Sequence, residues 1–273
     1  MKPVFIPSSQ GRVFGLYHPP HPGQPDLGDV IFVPPFAEEL NRSRHVVATQ
    51  ARDLSARGCG VLILDLFGTG DSDGNFADAR WQTWCEDIAA AGHWLREQGR
   101  TRIGLWGLRL GATLAMAVAG THVSPCTHLV LWQPVANGQV FLSQFLRIKI
   151  AADMARGRTG PTTKELRALL RSGKNLEVAG YDLNPDLADA IDALRLTELT
   201  PPPDCPVAWF ELVASEETPL SPGATRVIEA WHKLGHEVVA QTVADAAFWT
   251  FLEREWAPRL VAATTAHIRG PRP

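Results

Sequence analysis

Six largely apolar runs constrain the fold of this chain more than any other feature of its sequence. They are DVIFVPPF, GVLILDLFGTG, RIGLWGL, THLVLWQP, VAWFELVAS and HEVVAQTVA. Strands that are covered by helices on both faces of a parallel sheet read in this continuous way, whereas half-exposed strands alternate apolar and polar residues. We therefore predict that these runs form the strands of a mostly parallel sheet.

Stretches with helical periodicity separate the runs, because apolar residues recur in them at three- and four-residue spacing. The predicted helices cover residues 43–57, 80–98, 110–119, 222–234 and 248–262. The alternation of strands and helices predicts a doubly wound α/β fold. Two short alternating segments, around Val4 and at 13–17, are joined by SSQG and predict an N-terminal antiparallel hairpin. We expect a sheet of about eight strands.

One interval interrupts this alternation. Between Gly138 and Thr200 the pattern is mostly helical, and no further strand of the sheet is predicted until residue 207. The interval follows the fourth parallel run, so we predict a helical cap over the C-terminal edge of the sheet, where open α/β sheets bind ligands. The predicted domains are an α/β core at 1–137 and 201–273 and a helical cap insertion at 138–200.

Composition and charge exclude several classes of function. The 273 residues are 45% apolar and 20% charged, which is enough to bury one sizeable core. The net charge of -3 has no long run of one sign, so we expect neither nucleic acid nor an anionic membrane surface as a partner. The start of the sequence, MKPVFIPSSQ, lacks a long apolar stretch, which predicts a cytoplasmic location without a signal peptide.

The four cysteines argue against a metal site and against a disulfide framework. They lie far apart, and no Cys-x-x-Cys or companion histidine spacing accompanies them. We therefore expect reduced thiols, no metal ion and no cofactor.

The stretch GLWGLRLGATLA carries the most specific motif. Gly107 and Gly111 flank Arg109 at the spacing of Gly-x-Ser-x-Gly, in which the serine is the nucleophile of α/β-hydrolases. One strand earlier, DLFGTGDSDG resembles the Asp-x-x-Gly-x-Gly-x-Ser stretch of the same superfamily. The motifs predict the α/β-hydrolase fold, with an arginine at the position of the attacking serine.

The other two members of a catalytic triad can be sought by chain order, since the acid and the histidine follow the nucleophile. The loop after VAWFELV offers Glu216 and Glu217 as the acid. The loop after the last strand, where the histidine belongs, has Ala246 and Ala247 before Phe248. A chain without the serine has no use for a histidine base, so we predict that it has no Ser–His–acid triad.

Arg109 requires an anionic partner. Its guanidinium is permanently charged, it lies at the start of a helix, and an unpaired charge beneath a cap would be costly to bury. The sequence offers Glu38 or Glu39 after the first parallel strand, and Glu216 or Glu217 in the acid loop. A carboxylate or phosphate of a ligand is the third candidate, and the sequence leaves the choice open.

Two functions follow from this site. The first is hydrolysis of an ester, thioester or carrier-bound acyl group by water, with Glu38 or Glu39 as general base. Arg109 and the N–H groups of Leu110 and Phe36 would stabilise the oxyanion. The second is a pseudo-hydrolase that binds an anionic metabolite or a partner protein through Arg109.

Apolar side chains complete the predicted pocket. We expect Trp132, Phe248 and Trp249 at its rim, where they would contact an acyl or aromatic group of a small-molecule or carrier-bound substrate. The sequence leaves open whether the chain forms a homodimer.

Several of these stretches together resemble one family. The segments PPFAEELNRSRH, DLFGTGDSDGNF, GLRLGATLA, LVLWQPVANG, FLSQFLRIKIAADM and LEVAGYDL are similar to the second type of exosortase A system-associated hydrolase. The family belongs to the α/β-hydrolase superfamily and is named for bacterial loci that encode exosortase A and exopolysaccharide synthesis. The resemblance implies a cytosolic accessory hydrolase or acyl-processing protein in which an arginine at the elbow is a family feature.

Overall fold

The computed structural model describes residues 1–123, 125–158 and 160–270. Within these residues the strands are β1 (Lys2–Pro7), β2 (Arg12–His18), β3 (Asp29–Val33), β4 (Gly60–Leu64), β5 (Ile103–Leu108), β6 (Cys126–Trp132), β7 (Leu176–Val178), β8 (Tyr181–Leu183), β9 (Val207–Leu212) and β10 (Val238–Val243). The helices are α1 (Glu38–Ala56), α2 (Trp81–Glu97), α3 (Leu110–Val118), α4 (Gly138–Ala155), α5 (Thr163–Arg171), α6 (Pro185–Ala193), α7 (Pro222–Lys233) and α8 (Pro258–Arg269). Each of the six apolar runs forms the strand predicted for it, and β6 begins one residue before its run.

Eight of the described strands form one sheet in the order β1-β2-β4-β3-β5-β6-β9-β10. The N-terminal hairpin is antiparallel, β2 is also antiparallel to β4, and the remaining pairs are parallel. The predicted fold, a mostly parallel sheet with an antiparallel N-terminal hairpin, is confirmed. β3 and β5 are neighbours with Val33 opposite Gly107, so the segment after β3 lies beside the turn after β5.

Helices cover both faces of the sheet, as the continuous apolar runs predict. Val30 and Phe32 belong to a core that also contains residues of α1 and α8. Ile31 and Val33 point to the opposite face and belong to the larger core with α2, α3 and α7. This alternation follows from the two-residue period of a strand, which gives each face its own set of side chains.

Two helix boundaries differ from the sequence prediction. Helix α1 begins at Glu38, ahead of the predicted start at 43, so Glu38 and Glu39 lie in its first turn and not in a loop. The predicted helix at 248–262 is wrong in its first half, where Phe248–Thr250 forms a short 3-10 turn. Helix α8 begins at Pro258 because proline is well suited to the first helical position, where no intrahelical N–H is needed.

The chain between β6 and β9 is mostly helical, as predicted, with α4, α5 and α6. It also contains the small antiparallel sheet β7-β8, which the helical pattern did not predict. The turn of this hairpin has positive φ at Ala179 and Gly180, as in the type I′ turns that favour two-residue hairpins. The division into a core and a cap at 138–200 stays a prediction, and positions 124, 159 and 271–273 of the predicted domains lie outside the described residues.

Among the described residues, none of the helices has both the length and the apolarity needed to cross a bilayer. Within the same ranges no three His, Cys, Asp or Glu side chains form a cluster that could hold a metal ion. The four cysteines are buried and free.

Asp87 on α2 anchors the N-terminal hairpin to the loop that follows β4. Its carboxylate accepts hydrogen bonds from the Ser8 hydroxyl and, at 2.8 Å, from the backbone N–H of Phe67. Complete burial outweighs these hydrogen bonds and raises the pKa of Asp87 to about 6. The folded protein therefore holds this proton more tightly than the unfolded chain does.

The raised pKa of Asp87 predicts a pH-dependent contribution to stability. Because the folded pKa lies above the unfolded value of 3.8, the free energy of unfolding falls as pH rises from about 4 to about 6. In the wild type, we expect Asp87 to contribute about 3 kcal/mol to this decrease, and Asp87→Asn should lack that contribution. Urea unfolding of the wild type and Asp87→Asn between pH 4 and pH 7 measures the difference. A stability difference between the two proteins that is constant with pH would contradict the prediction.

Candidate active site at the turn after β5

Arg109 occupies the sharp turn between β5 and α3, where α/β-hydrolases carry their nucleophile. Its backbone has φ 57° and ψ -122°, a conformation that residues with a side chain rarely adopt. Such strain persists only where the surrounding structure imposes it. The elbow geometry is therefore retained although the side chain has changed.

The two glycines of the motif are required by close backbone contacts. A Cβ atom at Gly107 would lie 2.5 Å from the Cα atom of Ala112, and one at Gly111 would lie 2.3 Å from the carbonyl oxygen of Pro34. Both distances are far below a normal contact, so only glycine allows β5, α3 and the segment after β3 to approach so closely. The spacing in Gly-x-Arg-x-Gly thus has a packing cause.

The anionic partner of Arg109 is Glu39. Arg109 Nε donates to Glu39 Oε1 at 3.3 Å, and the two side chains are only 18% and 16% exposed. The guanidinium also lies 5.5 Å from the ring centroid of Trp249 and 5.8 Å from that of Phe141. The structure thereby decides between the two protein candidates for the anionic partner of Arg109. The carboxylate comes from α1 and not from the acid loop.

Glu216 and Glu217 lie away from this pair. Glu216 forms an exposed ion pair with Arg259 on α8 at 2.7 Å, and Glu217 is exposed to solvent. The structure therefore does not bring the acid loop to Arg109. The loop after β10 does reach it, because Trp249 follows the alanines at 246 and 247 and places its ring against the guanidinium.

Burial controls the ionisation of Glu39. It raises the pKa of the Glu39 carboxyl, and this effect outweighs the attraction of Arg109, while the neighbouring Glu38 raises the pKa further. Within the described residues, Oε2 of Glu39 and Oε2 of Glu38 are buried and accept no hydrogen bond. Glu39 is thus a carboxylate of increased basicity with one oxygen free to bind a water molecule or a ligand.

Two adjoining cavities meet at Arg109. The smaller, here called the glutamate cavity, has a volume of about 100 Å³ and is lined by Glu38, Glu39 and Phe36 as well as Arg109. The larger, here called the arginine cavity, has a volume of about 450 Å³ and extends from Arg109 towards α7. Arg109 and Phe141 line both, so the ion pair lies where the two cavities join.

The predicted apolar residues divide into two groups. Phe36 is buried at the glutamate cavity, where its ring packs edge-on against Phe141 and Phe145, and Leu110 is buried directly after Arg109. Trp132 and Phe248 instead lie in the core between the sheet and α8.

Trp132 lies outside both cavities, contrary to the expected position at the rim. Its Nε1 donates to Thr264 Oγ1 on α8 at 2.8 Å, and its ring packs against those of Trp106 and Phe248. The two-residue period of β6 turns this side chain to the α8 face of the sheet. Trp132 and Phe248 therefore belong to the core on the α8 face of the sheet. Of the three aromatic residues predicted at the rim, Trp249 is the one that contacts Arg109.

Sequence reasoning missed Arg195, Arg226 and Asn137, which line the arginine cavity. They lie in three segments that are distant along the chain, between α6 and β9, on α7, and before α4. No spacing in the sequence connects them, because only the tertiary contacts between these segments bring them to one cavity.

Solved structures with the same fold include enzymes of several kinds. Est1E from Butyrivibrio proteoclasticus, solved with ferulic acid, has a TM-score of 0.69 at 16% identity, over 97% of this chain and 96% of that chain. XC6422 from Xanthomonas campestris, described as a serine hydrolase without a lid, has a TM-score of 0.59 at 15% identity, over 98% and 91%. Proline iminopeptidase of Mycobacterium smegmatis has a TM-score of 0.59 at 16% identity, over 98% of both chains. At these identities the likeness shows the fold alone.

A family model gives the assignment at the level of sequence. No curated protein matches the chain significantly. The model described as serine aminopeptidase, S33, matches residues 24–199, which is more than half of the chain and includes the turn at Arg109. The chain has the α/β-hydrolase fold and belongs to the serine aminopeptidase S33 family.

Proposed function

We propose that the protein hydrolyses the ester or thioester bond of an acyl substrate, either a small molecule or a carrier-bound group, with water as the nucleophile. The observation that carries the proposal is Glu39, a buried carboxylate whose pKa is raised and whose Oε2 is free within the described residues. A general base of this kind can act near neutral pH, where an ordinary glutamate is too weak.

The reaction uses the residues at the junction of the two cavities. Glu39 accepts a proton from water as the water oxygen bonds to the acyl carbon, and the carbonyl oxygen becomes an oxyanion. Nη1 and Nη2 of Arg109 make no hydrogen bond within the described residues, so they are available to the oxyanion, together with the N–H groups of Leu110 and Phe36. The tetrahedral intermediate collapses, and the proton on Glu39 passes to the leaving alcohol or thiol.

Hydrolysis of nitrophenyl esters and acyl thioesters tests the assignment of Glu39. We expect Glu39→Gln to lower kcat/KM about 100-fold, because general base catalysis contributes at least that factor. In the wild type, kcat/KM should rise with pH through a pKa above the ordinary 4.5 of glutamate, since the unprotonated carboxylate is the active form.

Glu216→Gln is the matched control, because this glutamate also pairs with an arginine but is exposed and remote from Arg109. Its kcat/KM should equal that of the wild type. A fluorophosphonate probe, which labels activated serines, should not label the protein. Equal rates in Glu39→Gln and the wild type, or labelling of any serine, would refute the mechanism.

A second candidate is a non-catalytic protein that binds an anionic metabolite or a partner protein through Arg109. It is favoured by the arginine in place of the nucleophile and by the alanines at 246 and 247, where a catalytic histidine would lie. Under this alternative, purified protein shows no turnover with any acyl substrate, and Arg109→Ala weakens ligand binding.

The biological setting rests on the resemblance of residues 30–249 to exosortase A system-associated hydrolases of the second type. We infer from that resemblance an accessory role beside exopolysaccharide synthesis in the cytoplasm of a bacterium. When cells of such a bacterium are fractionated, we expect the protein in the cytoplasmic fraction. Recovery in the periplasmic fraction would contradict the inferred location.

A further inference from the structure

The arginine cavity has an unusual concentration of positive charge. Arg109, Arg195 and Arg226 all line it, and none of its described lining residues is Asp or Glu. Arg195 donates from Nη1 to the carbonyl oxygens of Asp192 and Leu194, both at 2.8 Å, so it is held in place without a carboxylate partner. Within the described residues, the guanidinium of Arg226 forms neither a hydrogen bond nor an ion pair.

Three helices begin at this cavity. Arg109 is the N-cap residue of α3, Asn137 is the N-cap residue of α4, and Gly223 is the second residue of α7. All three of these residues line the cavity. The N-terminus of a helix carries a partial positive charge, which favours anions. In α4 and α7 this charge comes from the helix dipole, because the side chains of Asn137 and Ser221 already accept from N–H groups of the first turn. Three such termini and three guanidinium groups therefore give this cavity a positive potential.

The carboxylates of the site lie on the other side of Arg109. Glu38 and Glu39 line the glutamate cavity and not the arginine cavity. The ion pair of Arg109 and Glu39 thus divides the two kinds of charge. The general base lies in the glutamate cavity, and the two arginines without a carboxylate partner lie in the arginine cavity. A volume of about 450 Å³ is sufficient for a small-molecule group.

We propose that the arginine cavity binds an oxyanion, a carboxylate or a phosphate, at the far end of the acyl substrate, and that Arg195 and Arg226 hold it. The substrate class is therefore an acyl ester or thioester with a second, negatively charged group. The proposal rests on the proposed function in placing the scissile carbonyl at Arg109, but the binding of the oxyanion does not depend on turnover.

Binding of small probes by calorimetry at fixed ionic strength tests the proposal. The probes are adipate, hexyl phosphate and the neutral hexanol, and the proteins are the wild type, Arg195→Gln and Arg226→Gln. We expect Kd for at least one anionic probe to rise about tenfold or more in each variant, because each loses a charged hydrogen-bond donor. Hexanol binding should not change between the proteins.

The two anionic probes distinguish the sources of the oxyanion. Weakened binding of adipate alone assigns a carboxylate, and weakened binding of hexyl phosphate alone assigns a phosphate. Arg147→Gln is the matched control, since Arg147 is an exposed arginine of α4 that lines a neighbouring cavity instead. If Kd for both anionic probes is unchanged in Arg195→Gln and Arg226→Gln, or rises equally in Arg147→Gln, the proposal is overturned.

Further variants keep the outcome interpretable. Arg195 bonds to backbone carbonyls, so Arg195→Lys keeps the charge if Arg195→Gln fails to fold, whereas exposed Arg226 can be replaced without a folding defect. Hydrolysis by Glu39→Gln is measured separately. If the arginine variants lose anion binding and no protein hydrolyses the substrates, the proposed reaction is refuted and the oxyanion site is supported. If the wild type hydrolyses them and the arginine variants bind anions unchanged, the oxyanion site is refuted and the reaction is supported.

Discussion

Arg109→Met will lower the free energy of unfolding by about 3 kcal/mol at pH 8, because removing one partner of a largely buried ion pair leaves the other as an unpaired charge with little access to solvent. The charge left behind is that of Glu39, whose Oε1 accepts from Arg109 Nε at 3.3 Å in the wild type. Methionine has a similar length and fills the space between the rings of Phe141 and Trp249. The loss of stability therefore comes from the unpaired charge of Glu39 and not from an empty cavity.

The size of this loss will depend on pH. Burial already raises the pKa of Glu39, and Arg109 is the main group that opposes this, with a smaller contribution from Arg42. Without Arg109 the pKa of Glu39 rises further, so the folded variant retains its proton to a higher pH. A folded pKa above the unfolded value favours folding at low pH, and the stability is lost as pH rises through the folded pKa. Urea unfolding should show a small difference near pH 4 and the full loss at pH 8.

A double-mutant cycle separates this effect from general disruption of the turn. Adding Glu39→Gln to Arg109→Met removes the unpaired charge and should restore most of the stability at pH 8. Arg259→Met is the control, since Arg259 pairs with Glu216 on the exposed surface, where such pairs contribute less than about 1 kcal/mol. Additive losses in the double variant would show that Glu39 and Arg109 are not coupled.

The fold was largely predictable from the sequence because its main signal is local. A strand buried on both faces must be apolar throughout, so β3, β4, β5, β6, β9 and β10 could be located without knowing their neighbours. The start of α8 was predicted too early because the aromatic residues at 248–251 continue a helical spacing, although Pro258 was the better signal for a first turn. The β7-β8 hairpin was missed because its strands are only three residues long.

The site was predictable only in part, since its contacts join segments that are remote in sequence. The need of Arg109 for an anion followed from its permanent charge and its place in the motif. The choice of Glu39 over Glu216 depends on where α1 begins and on the direction of the acid loop, which are tertiary features. Arg195 and Arg226 could not be found from the sequence, because the packing of the segment between β6 and β9 creates their cavity.

Asp29→Ala should lower the free energy of unfolding by about 3–5 kcal/mol. Asp29 begins β3 and is completely buried; its carboxylate accepts from Arg100 Nε and, at 2.8 Å, from the Tyr17 hydroxyl. Burial raises the pKa of Asp29, and Arg100 and Tyr17 oppose that rise. Alanine leaves the buried Tyr17 hydroxyl without its acceptor and Arg100 without one of its two carboxylates. Thermal unfolding should show a fall in Tm of roughly 10 °C.

Asp26→Ala is the matched control, because Asp26 also binds Arg100, at 2.7 Å, but its side chain is 62% exposed. Its loss should be below about 1 kcal/mol, since solvent screens the pair. Asp29 is the first residue of β3 and Glu39 follows the strand, so the two carboxylates lie towards opposite ends of one central strand. If Asp29 serves stability alone, folded Asp29→Ala will bind adipate or hexyl phosphate in the arginine cavity like the wild type. A changed Kd in that variant would mean that the network at the start of β3 also shapes the site.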